Sequence, residues 1–124
     1  MNTDKLFDLA EYRDIAQDDE KCWQDLMENT IEQMERFLEK YTFALRTKQE
    51  LKFRDNIHRM MPVFTMLQMK KIMDLSQEGR KLLLQNSSVS DAEIEAHLLI
   101  LSPIVLEIIH ELKIIPLELA HQEF

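Results

Sequence analysis

Arg54-Asp55-Asn56-Ile57-His58-Arg59-Met60-Met61-Pro62-Val63-Phe64 sets one histidine on the flank of an amphipathic helix, among positive charges and methionines. Apolar residues recur at Phe53, Ile57, Met60, Phe64 and Leu67, the i, i+4, i+7 spacing of a helix that buries one stripe. Successive residues turn by about 100°, so His58 falls at the edge of that stripe. Arg54 and Thr65, one turn before and two turns after, share its side. An imidazole so placed is gripped by its own domain and still open to another protein.

The rest of the chain carries the same helical signature. Thr3 can cap a short first helix with Leu6, Phe7, Leu9, Ala10 and Tyr12. Gln17-Asp18-Asp19-Glu20 then puts acidic groups at the start of a second helix, where its dipole favours them. That helix shows Trp23, Leu26, Met27, Thr30, Ile31, Met34, Phe37, Leu38, Tyr41 and Leu45 as a continuous apolar face, to about Arg46. A break near Thr47 leads into the histidine helix, roughly Gln49 to Leu67, and a fourth runs from about Met69 to Gln85. Gly79 inside the fourth costs about 1 kcal/mol relative to alanine, which predicts a close helix crossing there. Asn86 to Ser90 reads as a loop, and Ser90 with Glu93 as a capping box. Pro103 either kinks the last helix or restarts it with Ser102 as cap. Pro116 ends it near Ile115, leaving a short tail.

With one glycine and three prolines in 124 residues, turn signals are few, and β-branched alternation is nearly absent. The pattern predicts an all-α fold, an up-and-down four-helix bundle with a short additional N-terminal helix. The length is that of a single domain spanning 1–124, with its core at about 6–115.

Charge and cysteine content narrow the function classes. A net charge of −8 argues against nucleic acid as a partner, because phosphate backbones demand the opposite sign. The charge is uneven: residues 46–81 carry nine Lys/Arg against four Asp/Glu, while the rest carries six against nineteen. The histidine sits in the positive segment; uneven scatter of solvated charge is the plainer reading. Leu98 to Leu106, the most apolar run, is too short to span a bilayer, so no membrane is expected. The single Cys22 rules out an internal disulfide and fits a reducing setting. With no signal peptide visible in an acidic, amphipathic N-terminus, a cytoplasmic location is expected.

Other chemistry finds little support. Glu107 with His110, and Glu118 with His121, have the Glu-x-x-His spacing of di-iron bundles. Such sites need the two motifs on facing helices plus two further inward glutamates. Here both lie on one segment divided by Pro116, so no metal and no cofactor is expected. There is no phosphate-cradling glycine loop, zinc spacing or hydrolase nucleophile motif, and nothing suggests ATP binding.

The chain resembles a histidine-containing phosphotransfer (HPt) domain from about Leu6 to Ile115. The likeness rests on the Phe7-Asp8-Leu9 opening, the Leu/Phe spacing of the second helix, and Ala44 ahead of the histidine helix. His58 is followed by apolar Met60, Pro62 and Leu67, with the next helix ending at Leu83. Some family members have proline where others have glycine, and Pro62 is similar to those. The chain departs from the family at Met61, where lysine is usual, at Val63, where a small residue is usual, and at Gln68.

The resemblance implies that His58 is a phosphoacceptor, taking a phosphoryl group from an aspartyl phosphate on a receiver domain of a response regulator or hybrid kinase. It would pass that group to another receiver. The divalent metal would belong to the receiver, and the carrier, expected to be a monomer, would have no kinase activity of its own. A neutral imidazole is a competent nucleophile near physiological pH. A phosphoryl group adds about −1.5 to −2 charge. Arg54, Arg59 and Arg80 are the candidate compensators, Arg80 because its position often faces the histidine in the family. Met61, Pro62, Thr65 and Met66 are the candidate docking surface, methionine being readily repacked. The alternatives are an HPt-like docking module without efficient transfer, and a metal-dependent helical enzyme.

Overall fold

Local signals set the helix ends. In a computed structural model describing residues 5–85 and 89–117, the Asp19 side chain accepts the Cys22 N–H at 3.1 Å and opens α2 (Glu20–Arg46). The acidic cluster expected at this helix start thus supplies its side-chain cap as well. Thr47 and the left-handed Lys48 (φ 56°) turn the chain into α3 (Glu50–Met66). Gln68 (φ 52°) does the same before α4 (Lys70–Leu84). Glu93 N–H donates to Ser90 Oγ at 3.1 Å while Ser90 N–H donates to the Glu93 carboxylate at 3.3 Å. This capping box begins α5 (Asp91–Ile114). That helix runs through Pro103 without restarting and ends two residues before Pro116. The expected loop at Asn86, Ser87 and Ser88 lies outside the described residues.

The first helix differs from expectation. Thr3 lies outside the described residues, and α1 (Ala10–Ala16) starts only at Ala10, so Leu6, Phe7 and Leu9 precede it. The reason is tertiary. Asp8 N–H donates to the Leu67 carbonyl at 2.8 Å, docking this segment on the end of α3. Phe7 and Leu9 are fully buried there without helical backbone. The residue at the start of α1 is Leu9, which has no side-chain cap, and the Asp8 carboxylate before it accepts the Ala10 N–H at 2.9 Å.

The described residues contain five helices and no strand. Helix α2 packs against α1, α3 and α5, and α4 packs against α3 and α5, making an all-helical bundle. Its aromatic centre is Phe37, Tyr41, Phe53 and Phe64, with ring centroids 4.7–5.4 Å apart. Offset and edge contacts of this kind add about 0.5–1.5 kcal/mol beyond area burial.

Gly79 explains how the helices close. A Cβ built on it would meet Tyr41 Oη of α2, Phe53 Cζ of α3 at 2.9 Å and His97 Nε2 of α5 at 3.0 Å. The close crossing inferred from one interior glycine therefore involves all three other long helices. The space is used by a buried hydrogen bond between Tyr41 Oη and His97 Nε2 (2.5 Å) and by a second from Tyr41 Oη to the Leu75 carbonyl (3.3 Å). Burial pushes the Tyr41 phenol up and the His97 imidazole down, with Glu78 partly opposing the latter.

Two outcomes follow. Gly79→Ala should gain about 1 kcal/mol of helix propensity but lose more to overpacking, for a net loss of about 1–2 kcal/mol; an unchanged or raised urea midpoint would contradict this. Folded His97 binds a proton less readily than in the unfolded chain, whose value is near the ordinary 6.5. Its contribution is therefore complete above about pH 6.5 and declines as pH falls below it. His97→Gln should flatten the slope of unfolding free energy between about pH 7 and 5, and a slope equal to wild type would contradict the assignment.

Candidate functional site

Helix α3 buries Phe53, Asn56, Met60 and Phe64. Asn56 is the polar member of that stripe, and its Nδ2 donates to the Phe37 carbonyl of α2 at 3.1 Å. A buried side-chain amide must be satisfied in this way, so the bond fixes the rotation of α3 against α2. Ile57 and Met61 are half-buried on one flank. His58, Pro62 and Thr65 are exposed.

His58 shares a shallow depression of about 500 Å³ with Met61, Pro62, Thr65 and Met66. All four residues expected to form the docking surface are therefore brought together around the imidazole. Among the described residues no hydrogen bond or ion pair occupies the ring. Pro62 lies inside α3, and its missing N–H leaves the His58 carbonyl without its usual helical donor.

One lining residue has no signal in the sequence. Glu11 of α1 completes the wall of the depression, carried there because residues 7–9 dock beside Leu67. It brings a carboxylate, not a cation, to the depression that holds the histidine.

The three arginines are distributed unequally. Arg54 is exposed four residues before His58 on the same helix, a spacing that makes surface neighbours. Arg59 lines a different groove, of about 390 Å³, between α2 and α3, with Glu39, Lys40, Phe43 and Asp55. Arg80 is exposed on α4 and is absent from the lining of the His58 depression. Of the three, only Arg54 is placed beside the imidazole by helix geometry.

His97 and His110 lie away from this depression. His97 is held in the core by Tyr41, His110 is exposed on α5, and His121 lies outside the described residues. Among the described residues no three His, Cys, Asp or Glu side chains gather as a metal site, and no helix is long and apolar enough to cross a membrane. Cys22 is half-buried. No family model matches the chain, and no significant match is found among curated proteins or solved structures.

Diethyl pyrocarbonate, followed by peptide mass spectrometry, should acylate His58 and His110 well before His97. Modification of His97 at an equal rate would contradict the burial assigned to it.

Proposed function

We propose that this chain is a phosphorelay carrier of the HPt type, its four long helices forming an up-and-down bundle. The observation that carries the reading is an exposed, unbonded imidazole set in a depression walled by Met61, Pro62, Thr65 and Met66. A His58 ring nitrogen attacks the phosphorus of an aspartyl phosphate on a receiver domain. The N–P bond forms as the P–O bond to the aspartyl carboxylate breaks, and the carboxylate leaves with the electron pair. The other ring nitrogen can release its proton to solvent. The same steps in reverse deliver the phosphoryl group to a second receiver, which supplies the divalent metal and the acidic pocket.

The residues around His58 suit a carrier better than a store. Arg54 supplies one positive charge for the phosphoryl oxygens. Glu11 in the same depression repels them, which raises the energy of phosphohistidine and favours onward transfer. The exposed and half-buried side chains of Met61, Pro62 and Met66 give the receiver an adaptable apolar seat. A cytoplasmic site of action accords with such a partner.

A docking module that binds a receiver without efficient transfer is the second reading. It is favoured by Met61 in the place of the usual lysine and by the position of Arg59 on another groove. Incubation with a phosphorylated receiver domain separates the two. Transfer should give an acid-labile, alkali-stable label on wild type, none on His58→Gln, and several-fold slower labelling of Arg54→Ala with unchanged helicity. Complex formation without label would establish the docking module. Neither binding nor label would contradict both.

A further inference from the structure

A groove of about 600 Å³ runs between the first half of α2 and the end of α5. It shares no lining residue with the His58 depression or with the α2–α3 groove, so its role stands apart from that of His58. The floor is apolar, with Trp23, Met27, Leu112 and Ile115 buried and Ile31 half-buried. Trp23 Nε1 donates to the Ile115 carbonyl at 3.3 Å and ties the two walls together. On the α5 side the rim is Ile114, which is 59 % accessible, and Pro116.

The α2 side carries exposed Glu20, Glu28, Glu32 and Glu35. Helix periodicity puts them there. At about 100° per residue, positions 20, 24, 28, 31 and 35 fall within about 80° of one another, flanking the buried Trp23 and Met27. Lys21 lies off this side and is taken by Asp25 at 2.9 Å. Arg36 approaches Glu32 at 3.4 Å. Among the described residues Glu20, Glu28 and Glu35 form no ion pair, and Lys113 is the one cation in the lining.

We propose that this groove seats a cationic amphipathic helix of a partner protein. Charge complementarity selects the occupant. A segment with Lys or Arg beside its apolar stripe gains ion pairs with the free carboxylates, and an acidic segment or an anionic lipid surface is repelled. The end of α5 acts in the same sense, because the last carbonyls of a helix carry partial negative charge. Length agrees: Glu20 to Glu35 runs about 22 Å along α2, four turns of a facing helix. An apolar floor with a charged rim is what the helix-in-groove mode requires. The chain's own last residues are disfavoured on charge, since 118–124 hold two glutamates and no Lys or Arg.

A peptide of about 15 leucine and lysine residues, long enough for four turns and with the leucines on one helical face, tests the proposal by calorimetric titration into the full chain. Wild type should bind it. The emission of Trp23, the chain's only tryptophan, should change over the same concentration range. Glu28→Lys/Glu35→Lys should bind at least about tenfold more weakly with wild-type helicity. Asp74→Lys/Glu107→Lys makes the same change of net charge at exposed residues outside the groove and should stay within about twofold of wild type. Equal weakening of both variants would reduce the effect to overall charge and overturn the proposal. So would equal binding of a peptide with the same composition and its leucines dispersed. No binding by wild type, or binding that leaves Trp23 emission unchanged, would overturn it as well.

Discussion

Three helices reach the fourth at Gly79, which has no side chain to hold them off. Tyr41, Phe53 and His97 crowd the position that a Cβ would occupy, and the Tyr41–His97 hydrogen bond spans α2 and α5 across it. The spacing of the bundle is set by this contact, because helices packed on ordinary side chains sit about 8–10 Å apart. Phe53 belongs both to this cluster and to the buried stripe of α3. Its position, with the Asn56 bond to the Phe37 carbonyl, determines which side of α3 meets solvent. The exposure of His58 is thus a consequence of packing made one turn earlier on the same helix.

The exposed sides of α3 and α5 share a device. Pro62 follows His58 by four residues, and Pro103 follows Leu99 by four. Each proline deprives the earlier residue's carbonyl of its helical donor, and each lies on an exposed side where water or a partner can supply one. The faces differ in charge. The His58 side mixes Arg54, Glu11 and methionines, suited to a polar event against an adaptable apolar rim. The outer side of α5 has no charge over its central turns.

Most helix ends were legible because their signals are local. Asp19, the Ser90–Glu93 pair and Pro116 act through neighbours within four residues, which a sequence displays directly. The N-terminal segment was not, since Phe7 and Leu9 fit a helix as well as a docked non-helical segment. The deciding bond runs to Leu67, far along the chain. Arg54 and Arg59 look alike beside His58 in sequence. A step of one residue turns about 100° on a helix, whereas a step of four returns to the same side. Arg59 therefore belongs to the α2–α3 groove. Glu11 reaches the depression only through the fold, and the commitment of the His97 ring to Tyr41 in the core is likewise a tertiary contact.

Nuclear magnetic resonance of the imidazole nitrogens, recorded on the isotope-labelled chain after exposure to a phosphorylated receiver domain, addresses the His58 assignment most directly. Phosphorus coupling should appear on one ring nitrogen of His58, with the resonances of His97 and His110 undisturbed. Coupling on either of those two residues, or on none, would contradict the role given to the depression on α3.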